Sequence, residues 1–80
     1  MKECTWEVIS DFSSAREFNE FERWIKQQIS VGQAKEVVVE KMYMDMPAFI
    51  EKWYEDTASQ KIWRLVYPDY PFTGLFEPVS

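Results

Sequence analysis

The spacing of apolar positions changes character along the chain, and each change marks an element. From Phe18 a stripe of Phe18, Phe21, Ile25, Gln28 and Ile29, with Trp24 on its flank, follows the i, i+3, i+4, i+7 rule and predicts a helix with one buried face. Ser14-Ala15-Arg16-Glu17 fits a capping box at its start, and Gly32 supplies the stop. Glu22 and Lys26 form a favourable i, i+4 pair on its polar side. From Ile62 the period becomes two. Trp63, Leu65 and Tyr67 fall on one face of a strand, and Ile62, Arg64 and Val66 on the other. Pro68 ends that strand, while Pro71 and Pro78 hold the ring-rich remainder extended, as a strap over the core.

Three further stretches complete the reading. Thr5 to Ser10 predicts a short first strand with Trp6 and Val8 on one face, followed by a turn over Asp11 to Ser14. Glu36 to Met44 predicts a strand through its β-branched content, and the strand–helix–strand order permits a parallel pair. Residues 45 to 60 carry two readings. Asp45 as a cap, Pro47 in a first turn and the spacing of Met46, Phe49, Ile50, Trp53 and Tyr54 suit a second helix. A strand from Phe49 to Glu55 with a polar turn over Asp56 to Gln60 suits a hairpin with the Ile62 strand, although no Asn-Gly or Asp-Gly marks the turn. The fold expected is α+β, one helix on a small and mainly antiparallel sheet in the order β-α-β-β-β, with residues 46–59 as the alternative second helix.

Composition narrows the function. Eighty residues make one domain near the lower size limit for a single core, and 18% aromatic residues supply the buried area that the length denies. Fourteen acids against nine bases give a formal charge of −5, which disfavours nucleic acid and anionic lipid as partners. A single cysteine, Cys4, excludes an internal disulfide. The first residues lack the apolar core of a signal peptide, and no run approaches the roughly 20 apolar residues of a membrane span, so a cytoplasmic location is expected.

Chemistry is scarce. Histidine is absent, Cys4 has no imidazole to activate it, and two glycines cannot build a phosphate loop. The alternating Met42, Met44 and Met46 admit a soft-metal site, but without a second ligand cluster core packing is the expected role. No catalytic residue, metal or cofactor is therefore expected. Acids mixed with Trp and Tyr suit a protein-binding surface instead.

Trp53-Tyr54-Glu55-Asp56, a short polar turn, Trp63-Arg64-Leu65, Tyr67-Pro68 and Gly74 resemble a pattern in small immunity proteins of bacterial polymorphic toxin and contact-dependent inhibition systems. The resemblance covers residues 53–74. It implies a cytoplasmic inhibitor that binds and neutralises a cognate toxin domain, often a nuclease. On the hairpin reading, Glu51, Glu55, Asp56 and Asp69 are expected to form an acidic rim, with Tyr54 and Tyr70 as partner-binding aromatics, facing a basic cleft. The competing reading is an assembly protein that forms a homodimer through its aromatic C-terminal segment.

Overall fold

The computed structural model describes residues 6–45, 49–69 and 71–79. One helix, α1 (Ala15–Ser30), packs on a four-stranded sheet of β1 (Ala34–Val37), β2 (Glu51–Asp56), β3 (Lys61–Val66) and β4 (Leu75–Pro78). Every pairing is antiparallel and the spatial order equals the chain order, so the fold is α+β without any parallel crossover. No helix of the described residues is long and apolar enough to cross a membrane.

The helix begins and ends for local reasons. The Ser14 hydroxyl accepts the Glu17 amide at 3.2 Å. The other half of the expected capping box is replaced, because the Glu17 carboxylate accepts the Ser13 hydroxyl. At the far end Gly32 adopts φ +77°, and the amides of Gly32 and Gln33 reach back to the carbonyls of Ile29 and Gln28. That pair of bonds is a Schellman stop, which requires a residue free to enter the left-handed region.

The helix lies on the sheet face presented by Ala34, Tyr54, Trp63, Leu65 and Phe76, into which Phe18 and Ile25 are buried. Phe12 is wholly buried among them, 5.2 Å from the Phe18 ring and 5.5 Å from Phe21. Its amide donates to the Thr73 carbonyl, pinning the entry of the helix to the segment before β4.

Three sequence expectations need correction, and the stretch read two ways resolves to one of its readings. The predicted first strand shrinks, among the described residues, to one bridge in which Ile9 and Phe76 exchange both backbone bonds; Val8 faces solvent rather than sharing the face of Trp6. The strand expected at Glu36 to Met44 starts two residues earlier and stops at Val37, where the chain leaves the sheet plane to cross its outer face. The stretch read two ways is a strand over Glu51–Asp56, not a helix; Met46 and Pro47 lie outside the described residues. Helical spacing misled there because Trp53 and Tyr54, on opposite faces of β2, are both buried by a sheet covered on two sides. Finally, the strap contains a strand, β4, entered through Gly74 at φ +82°. A Cβ on Gly74 would stand 2.9 Å from the Val66 carbonyl oxygen and 3.1 Å from the Phe12 ring. Pro78 is tolerated because β4 is the last strand of the sheet.

The hairpin turn needs no Asn-Gly because it is longer than two residues. Gln60 takes the left-handed conformation at φ 63° and closes on the Asp56 carbonyl, while Thr57 bonds to Gly32 and Gln33 and so ties the turn to the end of α1.

At the seam between helix and sheet the Tyr67 hydroxyl donates to Glu22 at 2.6 Å. Burial first, and the Glu36 and Glu22 carboxylates second, push the Tyr54 hydroxyl from its ordinary 10.0 up to about 12. Burial, and then the bond to Glu22, raise Tyr67 as well.

The folded chain thus holds these protons more tightly than the unfolded chain does. The resulting stability is present in full below pH 10, and is lost as pH rises through about 12. Tyr54→Phe and Tyr67→Phe should each flatten that alkaline loss in denaturation curves collected at several pH values; slopes equal to the parent's would show that the hydroxyls do not sit against carboxylates. Near neutral pH, Ile25→Ala should lower stability by about 2–5 kcal/mol through its cavity, and Ser14→Ala by about 0.5–2 kcal/mol through its cap.

Candidate functional site

The side of the sheet away from α1 carries Val37 from β1, Glu51, Trp53 and Glu55 from β2, Ile62, Arg64 and Val66 from β3, and Leu75 and Glu77 from β4. Among the described residues no second α-helix covers it. Its cover is a loop that follows β1, includes a 3₁₀ turn at Tyr43–Asp45, and brings Tyr43 against Phe49 and Phe72 at ring separations of 6.1 and 6.0 Å. Phe49 and Phe72 meet in turn at 4.7 Å.

Glu51 holds this cover down. Its side chain is 4% exposed, and its two oxygens accept from the Tyr43 amide at 2.6 Å and the Trp53 indole at 2.7 Å. Arg64 stands behind the carboxylate with Nε at 3.6 Å, an ion-pair distance too long for a hydrogen bond. Its guanidinium lies 5.4 Å from the centre of the Tyr43 ring and 6.0 Å from that of Trp53, and a second carboxylate, Glu77, is 3.9 Å away. A buried charge is tolerated when paired in this way, and the two rings add a cation–π attraction.

On this frame the loop displays apolar side chains to solvent. Met44 is 68% exposed and Val38 81%, with Met42 and, at the start of β2, Ile50 also exposed. Met44 takes a left-handed backbone conformation at φ 52°, a cost that a side chain with Cβ normally avoids. Two grooves flank the loop. One, of about 540 Å³, runs past Glu40, Lys41 and Met42 to Phe49 and Glu51. The other, of about 380 Å³, lies between Met42, Met44, Trp53 and Arg64. The expected core role of the methionines therefore does not apply to Met42 and Met44, which face water; Met46 is outside the described residues.

The six residues expected to bind a partner do not form one rim. Glu51 is the internal anchor of the loop. Tyr54 belongs to the core beneath α1. Asp56 is 6% exposed and accepts the Ser59 hydroxyl at 2.7 Å, so it shapes the turn rather than presenting a charge. Glu55 remains on the outer face, half-buried, paired across the ladder with Lys35 and Ile62. Asp69 is exposed but lies beyond the opposite end of β3, bridged to Phe72. Tyr70 lies outside the described residues. Strand geometry separates Glu55 from Asp69: the stretch of β3 from Ile62 to Val66 alone spans about 13 Å at roughly 3.3 Å per residue.

No family model, no curated protein and no solved structure matches this chain. The site has to be argued from its own residues. Among the described residues no three Asp, Glu, Cys or His side chains gather as they would around a metal ion. What the outer face offers is a rigid polar frame carrying exposed, flexible apolar side chains. That combination suits contact with another protein, where methionine adapts to the opposing surface.

The frame can be tested apart from any partner. Glu51→Ala would leave the Tyr43 amide and the Trp53 indole unpaired and weaken the neutralisation of Arg64, and should lower stability by about 3–5 kcal/mol. Joint replacement, Glu51→Leu with Arg64→Leu, should recover only the part of that loss due to the unpaired Arg64 charge, since the Tyr43 amide and the Trp53 indole still lack an acceptor. A single variant as stable as the parent in denaturant would show that the carboxylate does not hold the loop.

Proposed function

We propose that this chain is a non-enzymatic protein-binding inhibitor of the immunity type, which neutralises a cognate toxin domain by docking the outer face of its sheet on it. The observation that carries this reading is the loop of Val38, Met42 and Met44, displayed in water on a frame locked by Glu51 and Arg64. A loop fastened through the Tyr43 backbone already presents its apolar side chains at the surface before contact, which lowers the entropic cost of binding. The formal charge of −5 favours a basic partner and fast encounter with it. The resemblance of residues 53–74 to immunity proteins supports the same reading, and implies action in the cytoplasm. The acidic contribution is that of the whole surface, with Glu55 on the docking face, rather than of a closed rim.

The homodimer reading has less to support it. Trp63 and Phe76 are buried under α1, and Phe72 is half-buried against Phe49, so the described rings of the C-terminal segment are occupied within the chain.

The test is to seek a toxin domain encoded beside this chain and to co-express the two, followed by binding kinetics on the purified pair. Protection of the host and a one-to-one complex are expected. Met42→Ser with Met44→Ser should fold as the parent does, and should raise the dissociation rate by about tenfold or more, as loss of anchors does. Lack of protection would remove the immunity reading. Unchanged dissociation in the double variant would move the contact off this face.

A further inference from the structure

On the helix side, where the segment before α1 passes over the core, a groove of about 290 Å³ is lined by Trp6, Glu7, Ile9, Phe21, Trp24 and Phe76. Its walls are ring faces and edges. Trp6 meets Trp24 at 5.7 Å in an edge-to-face arrangement, and meets Phe76 at 5.7 Å; Phe21 meets Trp24 at 5.5 Å. Trp24, at 36%, is the one exposed ring among the described residues. One carboxylate, the exposed Glu7, stands at the groove, and no basic side chain among the described residues lines it.

The chain itself shows what such a set of groups accepts. On the outer face two rings, Tyr43 and Trp53, with the Glu51 carboxylate enclose the guanidinium of Arg64. The Trp6 groove repeats that chemistry, π faces plus a carboxylate, on the opposite side of the sheet. We propose that this groove is a second contact site, which receives an arginine side chain of a basic partner protein. The negative ring faces attract the guanidinium, which stacks on indole better than a strongly hydrated ammonium does, and Glu7 neutralises its charge. The net charge of −5 supplies the longer-range complement. The proposal extends the reading of the chain as a binder of a basic protein, but the site is defined by chemistry that needs no particular toxin.

A probe of that chemistry is N-acetyl-arginine amide, with N-acetyl-citrulline amide as its uncharged counterpart. Each is titrated into the full chain while the indole N–H resonances of Trp6 and Trp24 are followed by NMR. Arginine should shift both resonances saturably, with a dissociation constant on the order of millimolar, and citrulline should bind about three- to thirtyfold more weakly. Glu7→Gln and Trp24→Leu, both at exposed positions, should each weaken arginine binding about threefold or more with the denaturant midpoint little changed. The proposal is overturned if neither resonance moves saturably, if citrulline binds as well as arginine, or if Glu7→Gln leaves the affinity unchanged. Arginine binding in a chain that gives no protection against the toxin would sustain the groove and remove only the immunity reading; protection with no arginine binding would do the reverse.

Discussion

A sheet has two faces, and the described residues have one α-helix to cover them. The helix side is solved with rings: Phe12, Phe18, Trp63 and Phe76 fill the space under α1. The outer side is solved by bending the chain after Val37 across the strands and fastening it with a buried carboxylate. Glu51 is the fulcrum of that arrangement because it meets the loop through a backbone amide, the sheet through an indole, and the opposing charge of Arg64 in one place. A fastening made through the backbone of Tyr43 leaves the side chains around it free to vary. The loop can therefore carry surface chemistry at Met42 and Met44, whose side chains face solvent, while the packed Tyr43 stays fixed, as suits a binding segment on a scaffold.

How much of this was legible in the residues follows from the same fact. The α1 stripe from Phe18 to Ile25, its serine cap and its glycine stop were legible because each depends on spacing and local chemistry over a few residues, whereas Ile29, expected on the same stripe, is exposed. The alternation at Ile62 to Val66 was legible for the same reason. Phe12 was not, since it stands alone in a polar turn and becomes a core residue only through its neighbours in space. Nor was the strand at Glu51–Asp56 separable from a helix by period, because two-sided burial erases the alternation that identifies a half-wet strand.

The candidate site was harder still. Charge at Glu51 and Asp56 suggested exposure, yet both side chains are internal and hydrogen-bonded. Apolar character at Met42 and Met44 suggested the core, yet both face solvent. Each inversion has one cause: a residue type gives the cost of burial, while the fold decides whether partners are present to offset it. The positions at which that ordinary correspondence fails are concentrated on the outer face, where local rules yield most often at functional surfaces.

The bridge from Ile9 to Phe76 has an effect beyond holding the first segment in place. It takes up the backbone groups of Phe76 on the outer side of β4, while the free side of β1 is not paired among the described residues. The two margins of the sheet therefore differ. Beside β1 only four residues offer backbone groups, and Lys35 and Glu36 place charge at the margin. Such a short, charged border discourages stacking of one copy on the next, and the bridge at Phe76 shortens what the opposite border can offer.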